Sequence, residues 1–398
     1  MDEIKYGLLG ERLGYSYSKI IYESLGFDYK LIEVGLSELK TLLKEKKFKG
    51  LNVTIPYKEK VIPYLDEVRG VAKEIGVVNT IVNENGKLVG YNTDYDGFNY
   101  LLSEFGEASE LKKHDFLVLG TGATNKTVIK VLKDNGINNI KVASRKDGYD
   151  YKTDDLKGKF DYVINTTPLG TYPNIDSKVS VIANNIIDVV YNPYRSRLAL
   201  DNIFIASGLD MLIVQALKSM ELFSLKVNKG VDEVKRDLLF NIGNIVLIGM
   251  PGTGKTTIGR LLSEELKMNF VDTDSIIEKD EPISDIINRD EEEFRKIEAD
   301  VIKKVSMLHH HVIATGGGIV ENEENIKHLA SNGFIIYIER ELNEIYKTFT
   351  PHPLIKSKAD LENVYNRRRD LYLKYSDIIV SGFDKESVLR NILQKIKK

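Results

Sequence analysis

The sequence predicts an α/β protein made of three successive α/β parts, and three observations carry that expectation. Short apolar runs alternate with helical stretches through residues 1–95. From about residue 115 a strand, a glycine loop and a helix follow one another in "DFLVLGTGATNKTVIKVL". The same order returns at 244 in "NIVLIGMPGTGKTTIGRLL", with a loop of a different kind. Alternating strand and helix periods of this sort belong to layered α/β folds. A chain of 398 residues also exceeds one ordinary domain.

In the first part, "KYGLLG" (5–10) reads as a strand, and "SKIIYESLG" as a helix opened by a hydroxyl cap and closed by Gly26. "YKLIEVG" and "GLNVTIP" read as strands, with the helix "LSELKTLLKEKKF" between them. In the second part, "DFLVLG" is a buried strand, "TVIKVLKDNG" a helix and "NIKVAS" the next strand. More strands follow at "FDYVINTT" and "NIIDVVY", and a helical tail, "LDMLIVQALKSMELFSLKV", ends near 227. The third part starts after a boundary near 237–243 that has no Pro/Gly/Ser-rich linker, so the parts are closely tethered.

Composition narrows the function classes. The net charge of −3 argues against nucleic acid or an anionic membrane as the main partner. The absence of cysteine excludes disulfides, thiol nucleophiles and thiolate metal sites. The opening "MDEIKYGLLGERLGYSYSK" is charged and does not read as a signal peptide, and no run approaches the roughly 20 apolar residues of a membrane span. The expectation is a cytoplasmic enzyme; a carrier of small phosphorylated ligands fits the same bounds. His309, His310 and His311 point in different directions and read as a loop or helix end, not one metal site.

The first glycine loop puts Gly120 and Gly122 between a strand and a helix, the opening of a Rossmann βαβ unit. Gly120 permits the tight turn and Gly122 lets a pyrophosphate approach the helix N-terminus, while the third position of the pattern is Asn125. After the next strand come Ser144, Arg145 and Lys146. A cationic pair there suits the 2′-phosphate of NADP better than the ribose hydroxyls of NAD.

Four stretches before residue 100 are rich in hydrogen-bonding side chains: "SYS" (16–18), "NVTIPYK" (52–58), "GVVNT" (76–80) and "GYNTDYDG" (90–97). They suit a polyhydroxylated ligand. By residue type alone, Ser16 and Ser18 read equally as helix caps, Asn92 and Asp94 as Asx turns, and Lys58 as a solvated lysine. Taken together and in order, residues 4–236 resemble the shikimate dehydrogenase family. The resemblance implies that Ser16 and Ser18 hold the substrate carboxylate. It implies that Asn52, Thr54, Asn79, Asp94 and Gln215 hold hydroxyls, and that Lys58, paired with Asp94, protonates the reacting oxygen. "INTTPLG" (164–170) would line the nicotinamide. Tyr191 would join the substrate site, and Ala123, Gly208 and Met211 the cofactor site. The family's loop differs at Ala123 and Thr124, and its N-R-T is here Ser144-Arg145-Lys146.

The second loop, "GMPGTGKT" (249–256), satisfies G-x-x-x-x-G-K-[ST] after a strand and at the start of a helix. Backbone amides around Gly252, Thr253, Gly254 and Thr257 would cradle phosphates. Lys255 would reach the β/γ oxygens, and Thr256 would ligate Mg²⁺. Asp272 and Asp274 lie two apart in "FVDTDSIIE"; on an extended segment they share a face, one for metal and one for an acceptor hydroxyl. Arg295 in "EEFRKIEADV" reads also as half of an i,i+3 pair with Glu298. With "VIATGGG" (312–318), residues 243–398 resemble the shikimate kinase family. The resemblance assigns the acceptor hydroxyl to Asp274 and water-mediated Mg²⁺ to Asp272. Arg295, Gly317 and Arg368 (in "RRDLY") would hold the shikimate carboxylate and ring hydroxyls. One departure stands out: "TPHPLI" places His352 where the family's lid carries arginine, leaving Lys347, Lys356 or Lys358 to serve instead.

The resulting expectation is a substrate-binding domain (1–95, rejoined by the helix 208–236), a Rossmann NADP domain (96–207) and a P-loop kinase domain (241–398). The implied chemistry is NADPH-dependent reduction of 3-dehydroshikimate to shikimate, then ATP- and Mg²⁺-dependent phosphorylation of shikimate. The alternative is a shikimate or quinate dehydrogenase fused to a catalytically weak, ligand-binding kinase-like domain. Partners are small-molecule substrates, without nucleic acid or membrane, and a homodimer is compatible with the chain.

Overall fold

The computed structural model describes residues 4–144, 160–177, 179, 181, 183, 185–202, 204–348 and 354–396. The chain divides into two compact units, Met1–Leu238 and Leu239–Lys398.

The first unit carries two sheets. One holds β1 (Ile4–Gly10), β2 (Lys30–Glu33), β3 (Phe48–Val53), β4 (Glu67–Val68), β5 (Thr80–Glu84) and β6 (Lys87–Tyr91), in the order β2-β1-β3-β5-β6-β4. Strand β1 runs parallel to β2 and β3, but β5 is antiparallel to both β3 and β6, and a short turn at Asn85-Gly86 joins β5 to β6 as a hairpin. That register sets Asn52 opposite Thr80. The helix Ser18–Ser24 follows β1; its N-cap is Tyr17, with no side-chain cap, so the expected hydroxyl cap is displaced. Ser16 Oγ instead accepts the Ser18 amide at 3.3 Å. Gly26 closes the helix in the left-handed region, as expected (φ +86°).

The second sheet is wholly parallel, in the order β11-β10-β9-β7-β8, with β7 (Phe116–Leu119), β8 (Ile140–Ala143), β9 (Tyr162–Asn165), β10 (Asn185–Asp188) and β11 (Phe204–Ser207). The strand order reverses between β8 and β9 about β7, which opens a crevice at the carboxyl ends of β7 and β9. The long helix Gly208–Leu222 then packs on the helix Asp94–Ser103. Glycine permits that approach: a Cβ on Gly97 would lie 2.5 Å from Met211 O. Gly97→Ala should therefore cost about 1–3 kcal/mol by overpacking. In chemical unfolding of the full chain, the transition of the first unit should move to lower denaturant while that of the second stays put; an unmoved first transition would contradict the packing account.

The second unit is a parallel sheet of β12 (Asn244–Ile248), β13 (Asn269–Asp272), β14 (His311–Ala314), β15 (Gly333–Ile338) and β16 (Ile378–Val380), ordered β13-β14-β12-β15-β16. The central β12 is buried at every residue, as a strand covered on both faces must be. Its carboxyl end feeds the loop at 249–254 and the helix Lys255–Leu266. No helix among the described residues is long and apolar enough to cross a membrane.

Candidate active sites

In the first unit, the turn after β3 delivers Lys58 to the N-terminus of the helix Asp94–Ser103, where Asp94 is the first residue. Lys58 Nζ lies 2.6 Å from Asp94 Oδ2, and the two side chains are 12% and 9% exposed. An ion pair this dry holds both groups in fixed positions, and the helix N-terminus favours the carboxylate. Asn79 Nδ2 donates to the other oxygen, Asp94 Oδ1, at 2.9 Å, and to Thr93 Oγ1 at 3.0 Å. Gln215 Oε1 accepts from Asn79 Nδ2 at 3.4 Å, which brings the returning helix to the same cluster. Ser16 Oγ donates to Ser18 Oγ at 3.2 Å, and half-buried Tyr191 is hydrogen-bonded to Ser16, its phenol raised by burial. Asp94 is close enough to Tyr191 to push the same pKa upward. Lys58, Asp94, Asn79, Gln215, Ser16 and Tyr191 are thus brought together from six separate stretches of chain.

Asn52 departs from the expectation. It is 4% exposed, and protein groups take its hydrogen-bonding positions. Tyr22 and Tyr29 hydroxyls donate to Oδ1 at 2.9 and 2.7 Å, and Nδ2 donates to Ser219 Oγ at 2.8 Å. Such an amide supports the site from behind. Ser219, Thr80 and the stacked Tyr22–Tyr29 pair (centroids 3.9 Å apart) form that support, and the sequence reading missed them. The one signal was Ser219 standing four residues after Gln215, on the same helix face. Thr54, half-buried at the start of the Lys58 turn, is anchored by its amide to Leu9 O. Asn92 bonds local backbone, but not as an Asx turn: its Oδ1 accepts the amide of Tyr95, three residues on, at 3.1 Å.

At the crevice of the second sheet, Gly120 has φ +103°, and a Cβ there would meet Thr166 Oγ1 at 2.9 Å. Gly122 is the N-cap of the helix Ala123–Asp134, with no side-chain cap and nothing within 4 Å of a Cβ. The first amides of that helix are therefore left to an anion. Asn125, at the pattern's third position, is buried with Nδ2 unpartnered. Ser144 is buried just after β8, and Met211 is buried in the returning helix. Gly208 has no room for a side chain, since a Cβ would lie 2.1 Å from Val189 O. Arg145 and Lys146 lie outside the described residues.

In the second unit, Gly249, Gly252 and Gly254 all adopt positive φ, which wraps the loop over the end of β12. Lys255 is buried, donating to Gly249 O at 2.9 Å and Met250 O at 3.0 Å. Thr256 Oγ1 donates to Asp272 Oδ2 at 2.6 Å. The extended reading of "DTD" is corrected: Asp272 ends β13 and caps the helix Thr273–Ile277, so Asp274 sits in a helical first turn. The turn still directs Asp274 to Lys255 and Gly316, where a Cβ would be 2.7 Å from Asp274 Oδ1. Burial pushes Asp274 up to about 6, helped by Asp272 and Glu298 against the pull of Lys255. Burial likewise lowers Lys255 to about 8, against Asp274 and Asp272.

Arg295 Nη1 donates to Glu298 Oε2 at 2.9 Å, the i,i+3 pair, yet the guanidinium also faces Gly318. A Cβ on Gly317 would be 2.6 Å from Pro251 Cδ, and Gly317 O accepts from Tyr372 OH at 2.6 Å. Arg368 is 4% exposed, with Nε unpartnered, and its Nη2 donates to Glu321 Oε2 at 2.7 Å. Of the lysines offered for the lid, Lys347 pairs with Glu344 at 2.6 Å and Lys358 lies 5.3 Å from the Tyr346 ring centroid. Lys356 contributes its backbone amide to Asp360 Oδ2 at the foot of the helix Lys358–Tyr375, while His352 lies outside the described residues. Arg340, which the sequence reading passed over, donates Nη1 to Gly252 O at 3.0 Å. It lines a cavity beside the loop together with Thr253, Thr257 and Phe383.

The shikimate dehydrogenase (NADP(+)) of Clostridium beijerinckii is 40% identical over 249 residues, covering 55% of this chain and 91% of that protein. The chain belongs to the shikimate dehydrogenase family. The corresponding enzyme of Methanococcus vannielii is 33% identical over 258 residues, covering 90% of that protein. The family model "Shikimate dehydrogenase substrate binding domain" matches residues 8–81, and the model "Shikimate kinase" matches residues 251–397. The crystal structure of shikimate dehydrogenase 1 from Peptoclostridium difficile superposes with a TM-score of 0.51 at 33% identity, covering 59% of this chain and 99% of that one. The two matched families fall one in each compact unit, so the first is a dehydrogenase unit and the second a kinase unit.

Proposed function

We propose that the chain carries out two consecutive reactions: NADPH-dependent reduction of 3-dehydroshikimate to shikimate, and ATP-dependent phosphorylation of shikimate at its 3-hydroxyl. The observation that carries this reading is the series of the two families on one chain, each with its charged machinery assembled. Substrate binding falls to residues 1–95 with the returning helix, NADP binding to 96–207 and phosphoryl transfer to 241–398. The reaction partners are small molecules in the cytoplasm.

In the dehydrogenase unit, the capless helix end at Gly122 and the tight turn at Gly120 fit a pyrophosphate, and bound NADPH supplies the hydride that turns the ring ketone into an alcohol. Lys58 then gives a proton to the oxygen as negative charge develops on it, and solvent restores the ammonium. Asp94 holds Lys58 at 2.6 Å, and Asn79 and Gln215 fix Asp94 and the neighbouring hydroxyls. Ser16, Ser18 and Tyr191 present hydroxyls for the substrate carboxylate.

In the kinase unit, the glycine loop and the Thr256–Asp272 pair fit a magnesium-bound triphosphate, and ATP supplies the phosphoryl group. Asp274 orients the 3-hydroxyl and takes its proton as the oxygen bonds to phosphorus. Lys255, leaving its two carbonyl partners, steadies the departing charge. Arg295 and Arg368 offer guanidinium groups to the shikimate carboxylate.

The test is a paired assay with and without a chelator. EDTA should abolish shikimate-dependent ADP formation, because Thr256 and Asp272 need Mg²⁺. It should leave 3-dehydroshikimate-dependent NADPH oxidation within about twofold, since hydride transfer here needs no metal. A kinase rate that survives EDTA, or a protein that oxidises no NADPH with 3-dehydroshikimate, would sink the reading.

A further inference from the structure

Resting on that functional reading, the carboxylate site of the kinase unit holds a second feature. The arginines that offer themselves to shikimate are already engaged by a carboxylate of the chain. Glu321 ends the short helical turn Ile319–Glu321 that follows Gly316–Gly318, beside the substrate site. Its Oε2 accepts from Arg368 Nη2 at 2.7 Å, and its Oε1 lies 2.5 Å from Arg367 Nη2. Arg295 Nη2 is 3.8 Å from Oε2. We propose that Glu321 is an internal competitor for the substrate carboxylate, and so sets the shikimate concentration at which the kinase unit works.

Two neighbouring acids separate this role from ordinary ion pairing. Glu298 also binds Arg295, at 2.9 Å, but its side chain is 4% exposed and lies on the long helix Glu291–Ser306. It is built in and stays. Glu291 approaches Arg295 at 3.5 Å from the rim, 56% exposed, where solvent screens it. Glu321 differs from both. Its side chain is 26% exposed, so it can swing to water, while the arginine it holds is buried at 5% exposure. The Nε of Arg368 is buried with no hydrogen-bond partner. A carboxylate taking Arg368 side-on would use Nε and Nη2 together, the bidentate mode that a single Glu321 oxygen leaves unfilled. Shikimate's carboxylate can complete that fork only as Glu321 releases Nη2, so binding includes the cost of breaking an existing pair.

Glu321→Gln and Glu321→Ser in the full chain test this. At saturating ATP, both should lower the kinase KM for shikimate by about tenfold, as expected when a competing charge is removed from a half-screened site. The change should lie in KM far more than in kcat. Glu321→Asp, which keeps the charge, should stay closer to wild type. The dehydrogenase KM for shikimate, read with NADP⁺ on the same proteins, is the internal control and should not move. An unchanged or raised kinase KM in the Gln and Ser variants would mean that Glu321 positions Arg368 rather than competing for it, and would overturn the proposal. So would loss of the kinase unit's unfolding transition in both variants, which would make Glu321 structural. A wild-type protein that makes no shikimate 3-phosphate at all would instead overturn the functional reading on which this rests.

Discussion

Lys58→Ala should lower the kcat for 3-dehydroshikimate reduction by about 10²–10⁴-fold, the usual range for a positioned general acid. The lysine is the group nearest to being a dedicated proton donor: it is 12% exposed and 2.6 Å from Asp94. Its removal also leaves Asp94, 9% exposed, as an unpaired buried carboxylate, so some loss of stability in the dehydrogenase unit should accompany the loss of rate. Lys58→Met, which keeps the bulk of the stem, should lose a comparable amount of activity. Shikimate-dependent ADP formation measured on the same variant should stay at the wild-type level. A dehydrogenase rate within a factor of a few of wild type would remove Lys58 from the mechanism.

Asp274→Asn should reduce the kinase kcat by a similar factor of about 10³ while leaving NADPH oxidation intact. The amide fills the same space but cannot take a proton. Wild-type protein offers a companion measurement. Burial, Asp272 and Glu298 push Asp274 up to about 6, and burial brings Lys255 down to about 8. Asp274 works as a base and Lys255 as a cation. The kinase kcat/KM should therefore rise as pH increases through about 6 and fall again above about 8. The linkage to stability runs the other way. An acid whose folded pKa is raised binds protons better folded than unfolded. Asp274 thus favours the folded kinase unit below the ordinary carboxylate range, and that contribution fades as pH climbs towards 6. A kinase profile flat from pH 5 to 7 would argue that Asp274 is not the base.

Much of this was written in local sequence. The loop at 249–256 needs only glycine at fixed offsets, a lysine and a threonine, and its strand and helix neighbours are equally local. The parallel sheets after residue 95 follow from short apolar runs and their spacing, whereas the antiparallel β5–β6 hairpin of the first sheet has no counterpart among the strands read before residue 95. At Asn52 the deciding partner lies far along the chain. Asn52 looked like a ligand-binding amide, but the β3–β5 register and a helix 167 residues away place it among Thr80, Ser219 and two tyrosines. No spacing rule links Asn52 to Ser219. Asp274 reads as part of an extended segment, but Asp272 caps a helix there through the Ser275 amide three residues on. Arg340 and Glu321 carry no motif at all. Their importance comes from where β15 ends and where the glycine run turns, which only the assembled unit reveals.

Whether one chain performs both steps is decided by incubating the pure protein with 3-dehydroshikimate, NADPH, ATP and Mg²⁺ and reading the products by mass. Accumulation of shikimate 3-phosphate, with NADPH and ATP consumed in equal amounts, is the result this account predicts. Product that stops at shikimate with ATP unspent would contradict the kinase half, and absence of shikimate altogether would contradict the account from its first step.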